Sequence, residues 1–189
     1  MKKRSSVFVV LYGVCASIMA QTLTMSNGVY WCQFNTSLQI PTQVRWMVHK
    51  SNLGTSKRDP SWRFMNDVPA PYGRATHDSY SNSGYDRGHM APAADFARPI
   101  SRCRETFRMS NICPQTPALN RGAWKKTEIQ ERNLAILNNC VHVLAIPLIL
   151  KADTSWIGAN MVAVPDAFIK VIYDINPDTL YNIYFLWNK

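Results

Sequence analysis

The sequence predicts an α+β domain built on a largely antiparallel sheet. Segments rich in β-branched and aromatic residues lie on both sides of one strong helical segment, and turn residues separate them. At 189 residues the chain suits one globular domain with a full core. Hydrophobic residues make up 47% and charged residues 17%, which excludes a disordered chain. The sequence shows no internal repeat, low-complexity tract or interdomain linker.

The elements follow in order. Met1, Lys2, Lys3 and Arg4 form a basic start, and residues 7–20 continue without a charge. That run is too short to span a bilayer comfortably. Residues 1–20 therefore read as a secretory signal peptide cleaved after Ala20, which predicts a secreted or periplasmic protein off the membrane. Residues 21–189 would form the single mature domain. A lipid anchor at Cys15 is disfavoured by the bulky Val14 before it, and an uncleaved anchor is the other alternative. Residues 44–48 alternate weakly, as a strand does. Residues 51–85 are rich in Gly, Pro, Ser, Asn and Asp and read mostly as loop. A short extended piece is expected at 84–90 and another strand at 107–112.

The helix is expected over about residues 117–137. Thr116 can cap it and Pro117 suits its first position. Ala118, Leu119, Ala123, Ile129, Leu134, Ala135 and Leu137 would supply its packing face, and Asn138-Asn139 its stop. Strands then follow at 141–150, 161–164, 167–173 and 180–187.

The formal charge is +9, of which the basic start contributes three. The remaining excess suits a polyanionic partner, although charge alone serves an indifferent basic surface equally well. Without Cys15, Cys32, Cys103, Cys113 and Cys140 remain. An even number in an exported protein predicts two disulfides. We favour Cys103 with Cys113, which would close a short loop. A zinc site is set aside, because there is no Cys-x-x-Cys and the histidines lack ligand spacing relative to the cysteines.

The chemistry concentrates in two stretches. In Asp86-Arg87-Gly88-His89, taken as extended, Arg87 and His89 share a face. The imidazole can take a proton from water near neutral pH, and the guanidinium can grip phosphate oxygens. Alone, so short a motif serves equally well as an ordinary polar turn. Further on, Asn120, Trp124, Glu128 and Arg132 recur every four residues on the helix, a stripe drifting about 40° per step. Trp124 suits the core, and Glu128 with Arg132 could be a plain surface ion pair. Asn120 has no capping task, and its amide oxygen suits a hard cation that keeps most of its waters. Glu128 could then bind those waters.

Together these residues resemble a known family. Tyr85-Asp86-Arg87-Gly88-His89-Met90-Ala91-Pro92, Ser110-Asn111, Pro114-Gln115, Leu119-Asn120-Arg121-Gly122-Ala123-Trp124 and Glu128 are similar to the DNA/RNA non-specific endonucleases. So is Val164-Pro165-Asp166-Ala167-Phe168-Ile169-Lys170-Val171 downstream. The resemblance runs in the family's order from about Val44 to the C-terminus.

It implies the ββα-metal, or His-Me finger, nuclease fold, with a catalytic helix beside a largely antiparallel sheet. It further implies a metal-dependent endonuclease that cuts DNA and RNA through their phosphate backbones and leaves 5′-phosphates. By this resemblance His89 is the general base, and Asn120 binds magnesium, with manganese as a substitute. Arg87 binds phosphate, Glu128 is the carboxylate behind the metal, and Arg132 is a cation near the leaving oxygen. Asp86 and Gln115 shape the site, with Gln115 also counted toward substrate.

The rival readings are an inactive nucleic-acid binder on the same scaffold and a binder of acidic glycan or lipid. His77-Asp78 is expected to be solvated, and His49 and His142 to be structural. Arg98, Arg102, Arg104, Arg108, Lys125 and Lys126 could extend a basic groove without reading bases. Oligomeric state and an inhibitor protein are left open by the sequence.

Overall fold

A computed structural model describes residues 21–55, 59–174 and 179–189; the expected signal peptide lies outside them. In chain order the strands are β1 (Thr22–Ser26), β2 (Tyr30–Asn35), β3 (Ile40–His49), β4 (Asp86–His89) and β5 (Ile112–Gln115). They continue as β6 (Cys140–Leu148), β7 (Ser155–Ile157), β8 (Val162–Val164), β9 (Ala167–Tyr173) and β10 (Leu180–Trp187). Two α-helices are described, α1 (Ile100–Glu105) and α2 (Lys125–Asn138), and a π-helical segment (Leu119–Trp124) runs into α2. The main sheet has the order β1-β2-β3-β6-β9-β10, antiparallel at every step. β4 pairs with β5 in a separate two-stranded unit, and β7 with β8 in another. The expected α+β class is what the structure has.

One face of the main sheet carries the core. β2, β3 and β6 alternate, so Cys32, Phe34, Val44, Val48, Val141, Val143 and Ala145 are buried on that face. The helix α2 packs there against β6 and β3. Burying each large apolar side chain contributes roughly 1.5–3 kcal/mol. The opposite face differs from one side to the other. It is polar on β1 and β2, at Thr22, Thr24 and Gln33, and apolar toward β10, where Ile183 and Phe185 are exposed.

Three sequence expectations are corrected. The strand expected at 107–112 begins later, because a 3-10 turn occupies Met109–Asn111 and β5 starts at Ile112. The helix packs on only part of the expected apolar set, with Leu119 and Ala135 in the core and Leu134 against it. Ile129 and Leu137 are exposed, while Thr127, Glu131 and Ala135 are buried. The buried face is partly polar because Lys170 on β9 supplies Glu131 with a partner at 2.9 Å.

The third correction concerns the cysteines. No disulfide joins Cys32, Cys103, Cys113 and Cys140 among the described residues. Cys103 packs with Ala93 and Phe107 in a small cluster, whereas Cys113 belongs to the main core, so the short loop between them separates two cores. Burial pushes the Cys32 thiol up to about 12 and the Cys113 thiol well above its ordinary value. Both are poor nucleophiles for exchange. Adding a reductant is expected to leave the urea midpoint unchanged. A protein held by two bridges would instead lose ~2–4 kcal/mol for each.

Candidate active site

The site is assembled from β4, the turn after it, and the helical segment that crosses behind. β4 and β5 run antiparallel with Asp86 opposite Gln115 and His89 opposite Ile112. A Cβ at Gly88 would lie 2.4 Å from the Gln115 side chain, so only glycine lets the two strands close. Gln115, expected to shape the site and also counted toward substrate, is fully buried beneath β4. After His89 the chain is clasped by buried Asn111. Its Oδ1 accepts from Ala91 N at 2.9 Å, and its Nδ2 donates to the carbonyls of Ala91 and Thr106, each at 2.9 Å. The sequence resemblance contains Asn111 but gives no hint of this clasp.

The His89 ring is held between aromatic walls. Phe64 lies 5.1 Å from it and Phe107 4.8 Å, the latter edge-on. The same Phe64 stacks on His77 at 5.9 Å. His77 was expected to be solvated, but it is half-buried, and burial with the nearby Arg87 and Arg63 charges lowers its pKa. Arg87 points to this side. Its Nε donates to the His77 carbonyl at 2.8 Å and its Nη2 to Ser81 Oγ at 3.1 Å. It is therefore anchored on the loop beside the cleft.

Across from His89, Trp124 donates its indole N–H to the His89 carbonyl at 3.1 Å. Asn120 and Trp124 were expected on one stripe. The π-helical turn through Leu119–Trp124 changes their relative phase, so Trp124 is fully buried while Asn120 stays at the surface. Thr116 Oγ accepts from Leu119 N at 3.3 Å, which makes it the cap that was expected.

Asn120 is oriented by Asp86. Its Nδ2 donates to Asp86 Oδ2 at 2.9 Å, and Arg121 grips the same carboxylate through Nε at 2.9 Å and Nη2 at 2.7 Å. An ionised carboxylate only accepts, so this contact fixes which end of the amide is nitrogen and leaves the carbonyl oxygen for a cation. The Arg121 hydrogen bonds lower the Asp86 pKa most, burial opposes them, and the Asn120 hydrogen bond adds a smaller downward pull.

A cleft of about 350 Å³ brings together His89, Asn120, Arg121, Lys125, Glu128 and Arg132, and Pro92, Ala93 and Ala94 also line it. Arg132 is anchored on Asp95. Its Nη1 donates to buried Asp95 at 3.0 Å. Of the residues expected at the site, the cleft wall thus contains His89, Asn120, Glu128 and Arg132. Asp86 supports Asn120, and Arg87 and Gln115 lie off the wall. Among the described residues no group of three or more His, Cys, Asp or Glu side chains could hold a metal. The donor set fits a hard ion bound through one amide oxygen and its own waters.

A family model described as DNA/RNA non-specific endonuclease matches residues 16–189. The chain belongs to this family. Among its relatives is a nuclease of Nostoc sp., 36% identical over 65% of this chain and 45% of that protein. Human mitochondrial endonuclease G is 39% identical over 61% of this chain and 42% of its own length. Nuclease C1 of Cunninghamella echinulata is 37% identical over 70% of this chain and 56% of that protein. The chain thus spans about half the length of the curated relatives it matches. A solved structure of the EndoG/EndoGI complex, which concerns the mechanism of EndoG inhibition, superposes with a TM-score of 0.74 at 31% identity. That match covers 88% of this chain and 74% of the other. The family is one of metal-dependent nucleases in general.

Two outcomes are expected. Gly88→Ala should destabilise the fold by about 1–3 kcal/mol through overpacking, and Gln115→Ala in the same chain should restore most of the loss in urea denaturation. Asp86 has a folded pKa below its unfolded one, so its contribution is present above the ordinary carboxylate range and lost as pH falls through the folded pKa. Solvent screening keeps that contribution below about 1 kcal/mol. Asp86→Asn should therefore be slightly less stable than the parent at neutral pH, and the two urea midpoints should converge in acid.

Proposed function

We propose that this chain is a metal-dependent endonuclease that hydrolyses phosphodiester bonds of DNA and RNA with little sequence preference and leaves 5′-phosphates. The observation that carries the reading is the facing pair in one cleft: His89 on the strand side, and Asn120 on the helix side with its amide nitrogen tied to Asp86. His89 takes the proton from an attacking water, and its aromatic walls and the Trp124 bond to its carbonyl keep the ring in place. Attack on phosphorus is in line. Arg132 and Lys125 line the same cleft and offer positive charge to the phosphate and to the departing 3′ oxygen. Asn120 would hold magnesium, with manganese as a substitute, and Glu128 would orient the waters around it. When bound, the ion supplies charge neutralisation at the scissile phosphate.

Cations that meet only phosphates give affinity without base reading, which supports broad sequence tolerance. Export rests on the character of residues 1–20. Mass spectrometry of the mature protein tests it, because a chain that retains Lys2 to Ala20 was not processed.

Incubation with circular DNA and with RNA, with and without a chelator, tests the activity. Circular DNA should pass through nicked to linear forms, and the chelator should stop it. A chain that binds nucleic acid but never nicks it is the inactive binder. His89→Ala should lose ~10²–10⁴-fold in rate and gain nothing from added magnesium. Asn120→Ala should lose turnover through weakened metal binding, so high magnesium should partly restore it. Rescue of the histidine variant and not of the asparagine variant would reverse the two roles.

A further inference from the structure

We propose that Asp95 is a positioning residue that aims Arg132 into the cleft, an inference that rests on the nuclease reading above. Asp95 sits in the 3-10 turn Ala93–Phe96, on the segment that leaves β4 after His89, and it is fully buried. Its two oxygens face two different elements. Oδ2 accepts from the indole N–H of Trp46 on β3 at 2.9 Å, and Oδ1 accepts from Arg132 Nη1 on α2 at 3.0 Å. Trp46 is itself buried, so the carboxylate is tied to a central strand of the main sheet.

A guanidinium is a rigid plane with five donors. Fixing one nitrogen on an immobile oxygen fixes the direction of the others. Without such an anchor, the long arginine side chain would lose rotamer freedom only when substrate arrived. Arg132 is mostly buried, yet it lines the cleft with His89, Asn120 and Glu128. Its remaining donors are thus set before a phosphate binds, in the sense of a preorganised charge that needs no rearrangement as the reaction proceeds. The arrangement also links the two halves of the site. One chain segment contributes both the His89 imidazole and the carboxylate that holds the cation on the helix.

The test is a double-mutant cycle on the full chain, read as magnesium-supported nicking of circular DNA. Asp95→Asn keeps the shape and removes the charge. It is expected to lower kcat about 10- to 100-fold while KM changes less than about threefold. Combined with Arg132→Ala, it should add no more than about twofold to the loss of Arg132→Ala alone, because Asp95 acts through that side chain. Losses that multiply, or an Asp95→Asn variant with the parent rate, would overturn the proposal.

Should Asp95→Asn fail to fold, Trp46→Phe removes the other anchor of the carboxylate. Its kcat loss should likewise vanish in the Arg132→Ala background, and a loss that persists there would count against the idea. NMR of the Arg132 guanidinium protons gives a readout separate from turnover. They should be slow to exchange in the parent and fast in Asp95→Asn or Trp46→Phe; equal exchange would sink the assignment. A parent chain that never nicks DNA would defeat the nuclease reading, and the NMR comparison would then judge the Asp95 contact by itself.

Discussion

The hydrogen bond from the Trp124 indole to the His89 carbonyl is the contact on which the rest of the site depends. It joins the helix to the strand at the residue proposed to handle the proton. The indole is held from behind. Phe168 meets it edge-on at 5.4 Å, and the Lys170 ammonium lies 4.2 Å over its ring. The distance between the imidazole and the helix therefore follows from core packing, not from surface contacts that solvent could loosen. A π-helical turn makes this possible, because it lets Trp124 point inward while Asn120, one turn earlier, remains at the cleft.

Below that contact lies an unusual amount of buried charge. Lys170 and Glu131 form an ion pair with no exposed side-chain surface, and Asp95 and Arg132 lie beside it. Burial raises the Glu131 pKa most strongly, against the pull of Lys170, and Asp95 and Glu128 push in the same direction as burial. Such a pair is poor evidence for stability, since desolvation offsets much of the attraction. Its directional hydrogen bonds do something that apolar packing cannot: they fix the rotation of α2 about its axis. A helix that buries Thr127, Glu131 and Ala135 has one angle at which its charges find their partners.

Much of this was legible in the sequence, and the parts that were not share a cause. Four strands after the helix were readable from β-branched and aromatic residues set between turn signals, whereas the short β7 was not expected. The C-terminus of α2 was readable as well, since Asn139 takes the positive φ of 69° that ends a helix there. The cleft residues His89, Asn120, Glu128 and Arg132 were singled out by motif spacing together with the family resemblance. Periodicity does not register polar residues that are buried: Glu131 is a core residue because Lys170, distant in sequence, pairs with it. Gln115 came from the resemblance and not from periodicity, and its burial follows from the missing side chain at Gly88. Phe64 comes from a stretch read as loop and Phe107 from the start of an expected strand, and neither local reading places them against His89. The cysteines misled for a different reason. Their even number says nothing about which of two cores each thiol joins.

The last strand of the main sheet has a consequence for how this protein behaves in a tube. Among the described residues nothing pairs beyond β10, and its eight residues Leu180–Trp187 include no charge. Ile183, Phe185 and Trp187 are about half or more exposed along it. Natural sheets usually guard such an edge with lysine, proline or a covering loop. The single irregularity here sits at the start of the strand, between Leu180 and Asn182, and the rest pairs with β9 in regular register. Colloidal behaviour then falls to the net positive charge of the whole molecule. High salt, or a polyanion that neutralises that charge, removes the repulsion and leaves the bare edge to govern solubility.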